Sequence, residues 1–267
     1  MKLKQYSRGL NPILCFFLVS HGIPFLITGI LMFLERSFYL IKPFHAGLIY
    51  FGLLSPTFAA LFVLYNFYNK KARKNYWYSV IDFKGITWKW YLFILSFPFL
   101  IRLLAAIADA VFTVNQFQFI LSSKMTIAYA VILIFFGPIP EELGWRGIAF
   151  PELQDKYNFI FAVLFIGIMW ALWHLPLFFI VGTYQYQLGL FTPLFWNFML
   201  GIIFTSAVYG LIYNKTNNSI FAVILFHYIG NLTGETFAIT FNAELISTGL
   251  RGILAFLIIV YYIKKKG

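Results

Sequence analysis

The chain has 267 residues, of which 61% are hydrophobic, 22% aromatic and only 11% charged. A soluble domain of this length is about half apolar and about a quarter charged, so the composition excludes an ordinary soluble protein and indicates a polytopic membrane protein. The net charge of +11 comes from Lys and Arg lying between apolar segments, where they fix orientation and touch anionic lipid; it does not indicate nucleic acid.

A helix needs about 20 apolar residues to cross the hydrocarbon. Eight stretches qualify, near 10–34, 44–67, 90–114, 126–150, 158–181, 188–213, 219–240 and 245–263. The first follows Lys2, Lys4 and Arg8 in the manner of a signal peptide, but it is long and no small-x-small cleavage site follows, so it reads as an uncleaved span. Cys15 within it reads as a small buried hydrophobe. As the single cysteine, it forms no intramolecular disulfide. The loop after the second span holds Lys70, Lys71, Arg73, Lys74, Lys84 and Lys89 against Asp82 alone. The fourth span is interrupted by Gly137, Pro138 and Pro140, the seventh weakens after Asn231, and the chain ends in Lys264, Lys265 and Lys266. With eight crossings the three basic segments share one face, so both termini are expected in the cytoplasm. The expected architecture is all-α: one integral-membrane domain over 1–267, with an internal polar cavity and no repeat or soluble domain. Trp77, Trp88 and Trp90 fit an interfacial aromatic belt.

Against this background three polar groups stand out. The first is Glu141-Glu142-x-x-x-Arg146, two of only nine acidic residues placed at membrane depth, where each charge costs roughly 2.5–3.5 kcal/mol at the helix centre. Glu142 and Arg146 are four apart and can pair on one helix face. Pro140 suits the first turn of a new helix, which would put both glutamates in that turn. The bland reading is a cap plus a structural ion pair; it accounts for Glu142 and Arg146 better than for Glu141, which the spacing leaves without a partner. The second group is Trp170-Ala171-Leu172-Trp173-His174, the third His227-x-x-x-Asn231. Each pair shares a helix face, and each alone could be helix–helix glue.

Taken together the groups carry chemistry. Two of the chain's four histidines are embedded beside carboxylates, a guanidinium and an amide, which are the parts for activating water and stabilising an oxyanion. His21, His45 and Asp109 read as structural. Depth is a difficulty: His227 falls ~12 Å and His174 ~24 Å from the cytoplasmic ends of their expected spans at 1.5 Å per residue. The two meet only if the fifth helix starts lower or tilts.

The three motifs, in this order, resemble the CAAX-protease and bacteriocin-processing (CPBP, or Abi) family of intramembrane endopeptidases. The family pattern is E-E-x-x-x-R, then F-x-x-x-H, then H-x-x-x-N. Residues 141–146 and 227–231 match it, Trp170 stands for the phenylalanine, and roughly 125–235 form the motif-bearing core. The resemblance implies eight spans around a cavity open to the cytosol. It gives Glu141, aided by His174, the activation of water, His227 and Asn231 the oxyanion, and Glu142, Arg146 and Trp170 supporting roles. Many members are labelled metalloproteases, and Glu141, His174 and His227 would be the ligands of a zinc ion. There is no H-E-x-x-H, however, and Glu–His activation of water needs no metal, so a metal-free site is favoured. The implied partners are membrane lipids and a peptide precursor or lipidated protein substrate, the implied location a bacterial plasma membrane. Two other classes stay open on sequence: a non-catalytic bacteriocin-immunity or scaffold protein on the same fold, and a proton-coupled transporter, against which stands the lack of an inverted repeat.

Overall fold

The computed structural model describes residues 11–37, 42–113, 116–121 and 126–265. Lys2, Lys4, Arg8 and Lys266, which enter the charge argument above, lie outside them. The fold is all-α, a bundle of apolar helices. Among the described residues, six helical stretches are long and apolar enough to cross a membrane, and a pair bent by 46° adds a seventh.

In chain order the helices are α1 (Pro12–Ser37), α2 (Lys42–Leu53), α3 (Ser55–Phe67), α4 (Lys70–Ile81), α5 (Trp88–Phe112), α6 (Ile127–Phe136), α7 (Pro138–Gly144), α8 (Phe150–Lys156), α9 (Phe159–His174), α10 (Tyr184–Leu188), α11 (Pro193–Lys215), α12 (Ile220–Thr236) and α13 (Phe241–Lys264). The expected second span is the bent pair α2–α3, broken ahead of Pro56. The expected seventh is α12, of 17 residues. At 1.5 Å per residue it is ~25 Å long, a little less than the hydrocarbon thickness. Polar caps start the long helices. Asn158 accepts from the Phe161 amide, Thr192 from Phe195, Ser219 from Ala222 and Thr240 from Ala243, each satisfying a donor that the first turn leaves unpaired.

The fourth span departs from its expected form in an informative way. Gly137 ends α6, and Pro138, at the first position of α7, starts a new helix. The restart comes two residues earlier than the sequence suggests, so Glu141 closes the first turn and Glu142 lies beyond it. A π-helical turn, Trp145–Ala149, then joins α7 to α8, making one helical stretch over Ile127–Lys156. Two side chains tie α7 to its neighbours: Thr57 donates to the Pro140 carbonyl at 3.0 Å and Tyr76 to that of Leu143 at 2.8 Å.

Helices α9, α11 and α13 pack side by side, α5 lies against α12 and α13, and α1 against α3. The bundle has two unlike ends. At one, Lys215 bonds Tyr261, Asn214 bonds Gln154 and Tyr262, and Ser219 bonds the Asp82 carbonyl; this is the end of Lys84, Lys89, Lys156, Lys264 and Lys265. At the other, a two-residue antiparallel pair joins Ile120–Leu121 to Phe237–Ala238, Arg102 pairs with Glu244 at 2.7 Å, and Thr240 donates to Asp109 at 2.5 Å. The outer surface is greasy, with Leu18, Phe33, Leu104, Ile253 and Phe256 among the exposed side chains, as a lipid-facing surface requires. Cys15 is half-buried against the core, as a small hydrophobe would be.

Candidate active site

The two adjacent glutamates of α7 are buried and do different things. Glu142 accepts from His227 Nδ1 at 2.9 Å and from Arg146 Nη1 at 3.2 Å. It therefore ties α12 to the π-helical turn. Glu141 accepts from the indole N–H of Trp170 on α9 through one oxygen, Oε2. Its other oxygen has no donor among the described residues and borders a cavity. The expected Glu142–Arg146 pair is thus present, and Glu141 is the carboxylate it leaves over.

Arg146 is fully buried. Its guanidinium lies 4.5 Å from the Trp170 ring centre and 4.2 Å from that of Tyr209, a sandwich in which the ring faces replace part of the lost hydration. Its Nε and Nη2 make no hydrogen bond. The charge is held by one carboxylate and two aromatic faces, so removing Glu142 would leave a buried cation without its counter-ion, which costs about 3–5 kcal/mol.

The partners of the histidines fix their tautomers. His174 Nδ1 is 2.9 Å from the Trp170 carbonyl. A carbonyl only accepts, so Nδ1 carries the proton and Nε2 of the neutral ring has a free lone pair. His227 Nδ1 faces the Glu142 carboxylate, so it too carries a proton. In the protonated ring Nε2 is a second donor; in the neutral ring it is an acceptor.

The two imidazoles meet around Trp170, whose ring centre is 6.3 Å from that of His174 and 5.5 Å from that of His227. This resolves the depth difficulty. His174 is the last residue of α9, whose start is packed against α8 at the basic end, while His227 sits in the second turn of α12. Asn231, one turn further along α12, is half-buried, and its amide nitrogen lies 3.3 Å from where a Cβ on Gly137 would stand.

Glu141, Trp170, His174, His227 and Asn231 all line one cavity of about 1190 Å³. Glu142 and Arg146 lie behind its wall. The cavity extends to the loops around Thr183–Gln185 and Ile239, at the end of the bundle opposite the lysines.

The zinc set expected from the resemblance does not assemble: among the described residues, no group of three His, Cys, Asp or Glu is placed to hold a metal ion. The Trp170 indole stands against both imidazoles and occupies one oxygen of Glu141.

Several residues around the site were not singled out by sequence. Tyr209 covers Arg146 and packs edge-on against His227 at 5.6 Å. Phe198 packs on His174 at 5.3 Å. Trp173 donates to Ser55, which donates to the Ser20 carbonyl, locking the end of α9 against α3 and α1. Gly137 supplies the gap between Asn231 and Glu141. No local motif marks these positions; they are set by which helices pack together. His21 holds the Met169 carbonyl at 2.9 Å, the structural role expected, whereas His45 lines the cavity.

Residues 123–233 match the family "Type II CAAX prenyl endopeptidase Rce1-like". The chain is 31% identical over 217 residues to CAAX prenyl protease 2 of Methanococcus maripaludis, covering 79% of each chain. The chain is an integral membrane protein and belongs to the Rce1-like CAAX prenyl endopeptidase family of intramembrane proteases.

Proposed function

We propose that the chain hydrolyses a peptide bond near the C-terminus of a prenylated, membrane-held peptide or protein, with Glu141 and His174 activating water. The observation that carries this reading is the convergence of Glu141, His174, His227 and Asn231, from three helices, on one cavity. The relative's name supports the substrate class: a C-terminal C-a-a-X sequence prenylated on its cysteine.

In this mechanism a water sits between the open oxygen of Glu141 and Nε2 of His174, both acceptors. One of them takes a proton as the water oxygen bonds to the carbonyl carbon. The amide N–H of Asn231 and Nε2–H of His227 stabilise the oxyanion. The C–N bond then breaks, and the proton taken from water passes to the leaving amine. Trp170 holds Glu141, and Glu142 holds His227 as a donor. No step passes through a metal.

Orientation follows the charge pattern: the end carrying Lys84, Lys89, Lys215, Lys264 and Lys265 faces the cytoplasm. The end of the cavity at Thr183–Gln185 then faces the other leaflet, and a substrate anchored by its lipid reaches the site within the bilayer.

The test is cleavage of a farnesylated peptide ending in C-a-a-X by the purified chain in liposomes, with fragments identified by mass spectrometry. The unprenylated peptide and a chelator-treated sample serve as controls. Cleavage confined to the prenylated peptide and unaffected by chelator is the expected result. Loss of activity with chelator and its return with zinc would contradict the mechanism; equal cutting of both peptides would contradict the substrate class.

A further inference from the structure

The cavity lining carries a guanidinium that the mechanism does not use. Arg251, on α13, lines the cavity. Its Nη2 donates to Thr248 Oγ1 at 2.8 Å and its Nε to the Ser247 carbonyl at 3.3 Å. These are neutral acceptors. Among the described residues no carboxylate lies within ion-pair distance of it. The neighbouring Arg102 differs, being paired with Glu244 at 2.7 Å. Glu235, also on the lining, is exposed.

The position of Arg251 relative to the catalytic groups can be read from α11. The guanidinium rests on Gly201, where an added Cβ would meet Nη1 at 3.3 Å and Nη2 at 3.4 Å. Three residues back on the same helix face, Phe198 packs on His174. Arg251 is therefore about one helical turn, ~5 Å along the axis of α11, from the residue that touches His174. Two bonds, from Nη2 to Thr248 and from Nε to Ser247, orient the fork on the cavity lining. The carboxylate that acts on it most strongly, Glu244, is already bonded to Arg102, so a half-buried guanidinium whose own hydrogen bonds go to neutral acceptors is prepared for an anion that arrives from outside.

We propose that Arg251 binds the free C-terminal carboxylate of the substrate and so sets the distance from the chain end at which the enzyme cuts. The proposal rests on the C-a-a-X reading above. In such a substrate any bond cut within the motif lies at most three residues from the terminal carboxylate, ~10 Å for an extended chain. A cavity with the water-activating pair on one wall and Arg251 beside the next turn of α11 accommodates that span. Gly201 keeps the guanidinium in place, because any side chain there would displace it.

The experiment compares two farnesylated peptides of one sequence, one ending in a free acid and one in a C-terminal amide, cut by the wild type, Arg251→Gln, Arg251→Lys and Gly201→Ala in liposomes. The wild type is expected to prefer the acid by about 10- to 100-fold in kcat/KM, the range of a hydrogen-bonded charge. Arg251→Gln should lower the acid rate to that of the amide and leave the amide rate unchanged. Arg251→Lys should recover part of the preference, and Gly201→Ala should lose part of it. A misfolded variant would lose both rates together, so the acid-to-amide ratio reports recognition alone. A ratio unchanged in Arg251→Gln, or a wild type indifferent to the amide, overturns the proposal. If the wild type cuts neither peptide, the C-a-a-X reading itself fails and the proposal with it.

Discussion

Glu142 and His227 are 85 residues apart in the chain and share a 2.9 Å hydrogen bond inside the bundle. In the proposed mechanism that bond makes one glutamate of the pair a positioning residue and leaves the other for chemistry. The adjacent side chains should therefore respond differently to substitution. Glu142→Ala removes the counter-ion of the buried Arg146, and the expected loss of stability is about 3–5 kcal/mol, measured as a lower unfolding temperature in detergent. Glu142→Gln keeps an acceptor for His227 and should be less damaging. Glu141→Gln removes no ion-pair partner and should leave the unfolding temperature near that of the wild type.

Trp170 serves two groups at once, donating its N–H to Glu141 and its ring face to Arg146. The family pattern has phenylalanine at this place, which keeps the face and drops the donor. Trp170→Phe should fold normally and lose about tenfold in kcat/KM, equivalent to ~1.4 kcal/mol of transition-state stabilisation. Trp170→Ala removes the buried ring as well and should cost an additional ~3–5 kcal/mol of stability. Steady-state kinetics with thermal unfolding on the same samples separates the two effects.

Gly137 gives a test of the site's spacing. A methyl group there would stand 3.3 Å from the Asn231 amide nitrogen and 3.7 Å from Glu141 Oε1. Gly137→Ala should insert, fold and bind substrate, while kcat falls by about 100-fold, the scale of an ångström-sized misplacement. A kcat equal to the wild type would show that no reacting group occupies the space between Asn231 and Glu141.

Orientation can be checked with single cysteines in a Cys15→Ser background. Replacements at Lys84 and Gln185 lie at opposite ends of the bundle. The charge pattern predicts that an impermeant thiol reagent added outside intact cells labels the cysteine at 185 and spares the one at 84. The reverse pattern would place the basic end outside and the cavity mouth in the cytoplasm.

Much of this architecture was legible in the sequence because lipid imposes simple rules. Apolar runs of spanning length became helices, and the Gly137–Pro140 interruption became a real break. The three polar motifs line or back one cavity, although the depths expected for His174 and His227 stood against their meeting. What was not legible came from packing. The restart of the helix at Pro138 rather than Pro140 reflects Gly137 ending α6, which moved Glu142 out of the first turn. Tyr209 and Phe198 lie in an apolar run with no local signal, and they matter only because α11 packs against α9. The absence of a three-ligand metal cluster among the described residues likewise depends on where the Trp170 ring falls between the two imidazoles.

The most direct measurement of the central claim is the single-turnover rate of Glu141→Gln beside the wild type, on a farnesylated peptide in liposomes, with binding followed on the same samples. If Glu141 takes the proton from the attacking water, the variant binds peptide as tightly as the wild type and cuts it at least ~100-fold more slowly, the low end of a general base's contribution. A folded Glu141→Gln protein that cuts at the wild-type rate would contradict the account.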